Sequence, residues 1–199
     1  MNPKPFNKTT EIVDTILHYA GEYFRKYGYK KTTVDDIAAS THISKKTLYA
    51  LFPSKQDILT EVAWRDTCNI LRTFSSTIPQ NIYPNELLIS FCRYIFTDRI
   101  KHGKNGMFWG IHSDDCILRG SYFEALKRVI KDIYDRGVKT GFFKPIDPFF
   151  ATHAVVNILR AALENFYKTT EPVRMFNDAL TIVADAVAFK DHMTFDAMG

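Results

Sequence analysis

Ile12, Ile16, Ala20, Phe24 and Tyr27 recur at steps of three and four residues, and Gly28 follows as a natural stop. That period lines one face of a helix. No stretch of any length alternates apolar with polar residues, and no segment repeats. These patterns predict an all-α fold. Helix starts are written into the chain as hydroxyl-to-carboxylate boxes at Thr33–Asp36, Ser54–Asp57 and Ser121–Glu124. In each, the hydroxyl can accept from the third residue's amide while the acid reaches back to the cap. Asp147-Pro148 supplies another start, with proline at the first helical position, and Pro172 a last one. The punctuation predicts about nine helices: 10–27, 34–40, 44–51, 54–77, 85–101, 107–117, 121–140, 148–168 and 172–189. With 46% apolar residues in 199, such helices can bury a proper core.

Charge says where to look for function. The net charge is +4, and residues 1–60 hold nine Lys and Arg against six Asp and Glu. Most of the excess therefore lies in the first third, where a nucleic-acid reader would need it. Within Thr32–Lys55, TTVDDIAASTHISKKTLYALFPSK, no acid follows Asp36. Two short helices, 34–40 and 44–51, are joined there by Thr41-His42-Ile43, the form of a helix-turn-helix. At 100° per residue, Leu48 and Phe52 share one side of the second helix, with Leu51 near its edge. Lys46, Tyr49 and Ala50 share the other, flanked by Lys45 and Thr47. One side packs and the other offers ammonium, hydroxyl and phenol groups, which suit phosphates and guanine edges.

The segment from Gly28 to Lys55 resembles the DNA-binding region of TetR-family transcriptional regulators. The residues that carry the likeness are Gly28-Tyr29, Thr32-Thr33, Ile37-Ala38, Ile43-Ser44, Thr47-Leu48-Tyr49 and Phe52-Pro53-Ser54-Lys55. Two positions depart from the pattern, since the family often has glycine where this chain has His42 and Lys46. The turn position commonly needs a positive φ, which histidine tolerates at a cost of about 1 kcal/mol. The resemblance implies that Thr33 and Tyr49 meet phosphates. It implies that Ser44, Lys45, Lys46 and Thr47 face the groove or its walls, that Ala50 sits near the bases, and that Lys55 clamps a further phosphate. It divides the chain into a DNA-binding domain, 1–53, and an effector-binding and dimerisation domain, 54–199.

The second domain is less explicit. Its segment DRGVKTGFFKPIDPFFATHAVVNILRAAL loosely resembles the family's entry into dimer-forming helices. Apolar residues recur at Phe149, Val156, Leu159, Leu163 and Phe166, and at Phe176, Ala179, Leu180, Val183 and Val187. Helices 148–168 and 172–189 are therefore expected either to pair with their copies in a four-helix bundle or to close the monomer core. A two-fold dimer would set its readers about 34–36 Å apart on a near-palindromic operator. The aromatic-rich middle suggests a pocket for a small hydrophobic effector, with Phe91, Ile95, Trp109, His112 and Phe123 as candidate walls. The run His112-Ser113-Asp114-Asp115-Cys116 matches no metal-ligand spacing, so no metal or cofactor is expected. Cys68, Cys92 and Cys116 are odd in number and far apart, which suggests buried reduced thiols.

The start, MNPKPFNKTTE, lacks the apolar core of a signal peptide, and no run approaches the roughly 18–20 apolar residues of a membrane span. A cytoplasmic placement is expected. The expectation is a ligand-responsive DNA-binding dimer, most simply a repressor. Two alternatives stay open: a DNA-binding regulator whose second domain binds a protein or no ligand, and an enzyme. Against the last, the chain lacks a nucleophile elbow, a phosphate loop and a paired catalytic motif.

Overall fold

The computed structural model describes residues 8–102, 110, 113, 115–166 and 168–187. Among them there are eight helices and no strand: α1 (Lys8–Lys31), α2 (Val34–Thr41), α3 (Lys45–Leu51), α4 (Lys55–Ser75), α5 (Pro84–His102), α6 (Cys116–Lys139), α7 (Pro148–Glu164) and α8 (Pro172–Val187). Helices α1 to α3 form the first unit. α4, about 31 Å long at 1.5 Å per residue, leaves it and packs along α6. α6 then packs on α7, and α7 on α8. One continuous buried cluster runs from Ile16, Phe24, Ile37 and Leu48 through Leu59 and Val62 to Phe91, Leu126 and Val183.

The helix expected at 107–117 is replaced by a different start. Residues 107–109, 111, 112 and 114 lie outside the described residues; Gly110, Ser113 and Asp115 are not helical, and α6 begins at Cys116. The box read at Ser121–Glu124 is not a helix start either. Ser121 is buried inside α6, and the true cap is Asp115, whose side chain accepts from Ile117 and Leu118. A hydroxyl-to-acid spacing fits a helix interior as well as a helix start, so local sequence could not separate the two. α1 also runs beyond Gly28, kinking there at φ 80° before three more residues.

The apolar series on α7 and α8 closes the monomer. Val156, Leu159, Leu163, Phe176, Leu180, Val183 and Val187 are all at most 5% exposed. Phe176 stacks on Phe96 of α5, ring centres 3.6 Å apart and planes 2° apart. Only Phe149 of that series is strongly exposed. After α6 the chain turns tightly. Phe143 lies so close to Gly137 that a Cβ there would stand 2.0 Å from the ring, so only glycine fits. Tyr134 Oη fastens the same turn by donating to Lys144 O at 2.6 Å, and Ile146 N donates back to it at 2.9 Å.

Candidate DNA interface

The two short helices meet as their sequence predicts, and the turn between them shows why it works without glycine. His42 adopts φ 55°, ψ 30°, the only non-glycine left-handed residue among those described. Its N–H donates to Ala39 O at 3.3 Å, and Ile43 N donates to Ala38 O at 3.2 Å. This pair of bonds is the Schellman motif, which satisfies the last carbonyls of α2. Upstream, Thr33 Oγ1 accepts from Asp36 N at 3.1 Å, while Asp36 Oδ2 accepts from Thr33 N at 2.9 Å. The Thr33 hydroxyl also donates to Asp36 Oδ2 at 2.6 Å, and this bond, then the one from the Thr33 amide, holds the Asp36 carboxyl below the usual carboxylate range. Tyr23 Oη lies 2.9 Å from Ser40 Oγ and ties α1 to α2.

α3 is amphipathic in the expected sense. Leu48 is fully buried and Phe52 nearly so, whereas Ser44, Lys45, Lys46, Thr47, Tyr49 and Ala50 are exposed. Ser44 caps the helix, its Oγ accepting from Thr47 N at 3.0 Å and lying 2.9 Å from Thr47 Oγ1. The hydroxyls of Ser44 and Thr47 are thus engaged with each other, as that of Thr33 is with Asp36 Oδ2. Lys46 and Tyr49 carry no hydrogen bond or ion pair to the described residues and project outward. These two are the donors that α3 holds ready.

Two lysines behave in ways their own helices do not reveal. α3 itself has no acid, yet Lys45 Nζ lies 2.6 Å from Asp35 Oδ1 on α2. Both side chains are more than half exposed, so the pair is weak, but it places a competing carboxylate at the reader. Lys55 is turned inward. Its ammonium donates to Tyr29 O at 2.7 Å and Thr32 O at 2.8 Å and lies 4.1 Å from the Tyr29 ring centre. Two of its three donors are spent on the turn that precedes α2, which leaves one for any phosphate. Sequence reasoning missed both because the partners come from other helices. The only available signal was that Asp35 opens the helix adjoining the lysine pair.

The candidate effector residues are dispersed. Phe91 and Ile95 share the buried face of α5, and Phe91 packs on Phe74 of α4 with ring centres 5.3 Å apart. Phe123 is buried on α6, with the Arg160 guanidinium 5.4 Å from its ring centre. Trp109 and His112 lie outside the described residues. Of the cysteines, only Cys92 is buried, and burial pushes its thiol up to about 12. Cys68 is half-buried and Cys116 exposed at the first position of α6, which corrects the expectation of burial for these two. Among the described residues no three His, Cys, Asp or Glu side chains converge as a metal site, and no helix is long and apolar enough to cross a membrane.

Residues 16–62 match the family model described as bacterial regulatory proteins, tetR family. An HTH-type transcriptional regulator of Bacillus subtilis (strain 168), YhgD, is 23% identical over 164 residues, covering 79% of this chain and 85% of that protein. Among solved structures, RolR in complex with resorcinol superimposes with a TM-score of 0.64 at 17% identity, over 90% of this chain and 92% of that one. FadR of Thermus thermophilus, a repressor in complex with lauroyl-CoA, gives 0.59 at 17% identity, over 94% and 99%. The matched model begins within α1 and ends within the first half of α4, so it covers most of the reader unit described above, and the likeness of fold extends over the remaining helices. Residues 16–62 thus form a DNA-binding domain of the tetR family of bacterial regulatory proteins, and the chain as a whole is similar to TetR-family regulators.

Proposed function

We propose that the protein is a dimeric repressor whose α3 enters the DNA major groove and whose second domain releases DNA when it binds a small hydrophobic molecule. The observation that carries the reading is the sidedness of α3: Leu48 and Phe52 hold it to the core while Lys46 and Tyr49 stand outward. In this reading Lys46 meets phosphate or a guanine edge and Tyr49 a phosphate, with Ala50 close to the bases. Lys45 joins them by leaving Asp35. Thr33, Ser44 and Thr47 act chiefly by fixing helix ends, and the third donor of Lys55 remains for the backbone.

Dimerisation uses the outer faces of α7 and α8. Phe149, Phe150, Val173 and Ile182 are between 55% and 70% exposed. Ile158, Ala161, Met175 and Ile182 line an apolar groove between the two helices. Exposed apolar surface of this kind is what a protein partner covers, and a copy of the chain related by a two-fold axis would place two α3 helices on successive major grooves.

An effector is supported by the ligands named for the similar structures, resorcinol and lauroyl-CoA. Its binding must favour a state with misplaced readers, because a ligand shifts an equilibrium only by its differential affinity. Selection from random duplex DNA tests the first half: a near-palindrome with half-sites about 34–36 Å apart supports it, and no enrichment refutes it. Thermal-shift assays with simple phenols and acyl-CoAs test the second. A compound that both raises Tm and frees the selected duplex supports it, and stabilisation without release refutes it for that compound.

A further inference from the structure

Asp115 stands where the DNA-reading unit meets the rest of the chain, and its two carboxylate oxygens serve different elements. Oδ1 accepts from Ile117 N at 3.0 Å and Leu118 N at 3.3 Å, capping α6. Oδ2 accepts from Tyr29 N at 2.9 Å, 86 residues earlier. Gly28, just before, has φ 80°, and a Cβ there would lie 3.3 Å from Oδ2. A side chain at 28 would therefore be strained and would crowd the joint. Tyr29 is held from the other side by Lys55, which also takes Thr32 O. The next residue, Thr33, is the cap of α2. The turn that aims the helix-turn-helix thus hangs between Asp115 of the second domain and Lys55 of α4.

Asp115 is itself anchored toward the far helices. Its N–H donates to Ser113 Oγ at 3.1 Å, and Ser113 O accepts from Arg119 Nη1 at 2.9 Å. Arg119 Nε lies 3.1 Å from Glu164 Oε1 on α7, which Arg160 also meets at 2.9 Å. A shift of the first turn of α6, or of α7 against it, therefore falls on the Asp115–Tyr29 bond. Gln56 Nε2, donating to Ser121 Oγ at 3.1 Å, keeps the start of α4 on the same stretch of α6.

We infer that Asp115 is a positioning residue for DNA binding. Its carboxylate fixes the reader unit against α6, and events in α6 and α7 reach the reader by making or breaking its bond to the Tyr29 amide. The inference rests on the DNA-binding reading above and adds the residue through which that activity is regulated. A reader left loose must be ordered on DNA, which costs affinity.

The chemistry of caps allows the two roles of Asp115 to be separated. Serine caps a helix about as well as aspartate, but its hydroxyl is too short to cap α6 and reach Tyr29 together. Asparagine offers one oxygen, and its amide nitrogen cannot accept from Tyr29. Amide exchange by NMR on full-length Asp115→Ser and Asp115→Asn reads each role at its own amides. Binding is measured on the duplex selected by the wild type. For Asp115→Ser the expected result is exchange at Tyr29 faster by about tenfold, with Ile117 and Leu118 still protected. Affinity for the duplex should fall by about three- to tenfold, the worth of one such bond. Asp115→Asn should do the same, unless its oxygen turns to Tyr29; Ile117 and Leu118 would then lose protection while affinity is kept. A merely structural role would lower Tm and loosen α6 without changing the affinity of the folded protein. Wild-type affinity in a variant whose Tyr29 amide has lost protection would overturn the inference, as would undiminished protection of Tyr29 in Asp115→Ser. A wild type that enriches no duplex would bring down the DNA-binding reading itself, a different failure from equal binding by wild type and variant.

Discussion

Replacing Asp35 by asparagine is expected to make the protein less stable and its grip on DNA tighter. Lys45 Nζ lies 2.6 Å from Asp35 Oδ1, with the side chains 53% and 66% exposed. An ion pair so open to water contributes at most about 1 kcal/mol. Asp35 also lies in the first turn of α2, where a carboxylate interacts with the helix N-terminus by about 0.3–1 kcal/mol. Losing both should cost about 1 kcal/mol, which lowers Tm by about 2–4 °C for a chain of this size. On DNA the sign reverses. Lys45 no longer has to leave a carboxylate to reach a phosphate, so affinity should rise by up to about fivefold. The slope of log K against log salt should steepen by up to about 0.9, because no nearby acid offsets the lysine. Fluorescence anisotropy across salt, with a denaturation curve on the same samples, measures both. Lys45→Ala in the Asp35→Asn background should erase the gain. A folded Asp35→Asn protein with unchanged affinity and slope would refute the idea that Lys45 is exchanged between Asp35 and the DNA backbone.

Four further outcomes follow from particular side chains. Phe176→Ala, opening a cavity beside Phe96, should cost about 3–5 kcal/mol in a denaturation curve, whereas Ile182→Asp on the exposed face should leave helicity intact and yield monomers in light scattering; a stable Phe176→Ala protein or a dimeric Ile182→Asp protein would contradict these assignments. Burial, and then the nearby Asp66 carboxylate, raise the Tyr122 phenol well above its usual range, and its Oη donates to Asp66 Oδ2 at 2.5 Å. An acid whose folded pKa is raised contributes stability that is complete below the unfolded value, near pH 10, and falls away above it; Tyr122→Phe should therefore be less stable at pH 7 yet lose less between pH 9 and 11, and parallel curves for the two proteins would disprove this. His42→Gly relieves a left-handed histidine but loosens the unfolded chain, for a net gain of up to about 0.6 kcal/mol, and a drop in Tm would show that the imidazole makes an interaction of its own.

The parts of the reader unit that were legible in the sequence are the local ones. The Thr33–Asp36 box, the left-handed turn at His42 and the two-sided α3 each follow from residues within four positions of one another. Contacts between distant residues were not legible. Nothing near Lys55 says that it faces Tyr29 O and Thr32 O, and nothing near Asp115 says that it takes an amide from Tyr29. The run His112–Cys116 matched no metal-ligand spacing, and of its residues Asp115 is the cap of α6. The apolar periods of α7 and α8 were read correctly as faces, but a period cannot tell whether the covering surface belongs to the same chain. Val156, Leu159 and Phe176 turned out to face inward, while the outward residues Phe149, Phe150, Val173 and Ile182 form no long series. The candidate effector residues were the least accessible, since any buried aromatic fits either a core or a pocket wall.

The central claim is that the lysine-bearing face of α3 lies against DNA. It is tested most directly by comparing wild type with Lys46→Gly on the duplex selected from random DNA, measuring affinity over a range of salt concentrations. Lys46 is exposed, makes no hydrogen bond or ion pair among the described residues, and belongs to no buried cluster, so its removal should leave the fold unchanged. The account predicts weaker binding and a salt slope shallower by about 0.9 for each phosphate that the lysine no longer neutralises. Superimposable salt curves from the two proteins would contradict it.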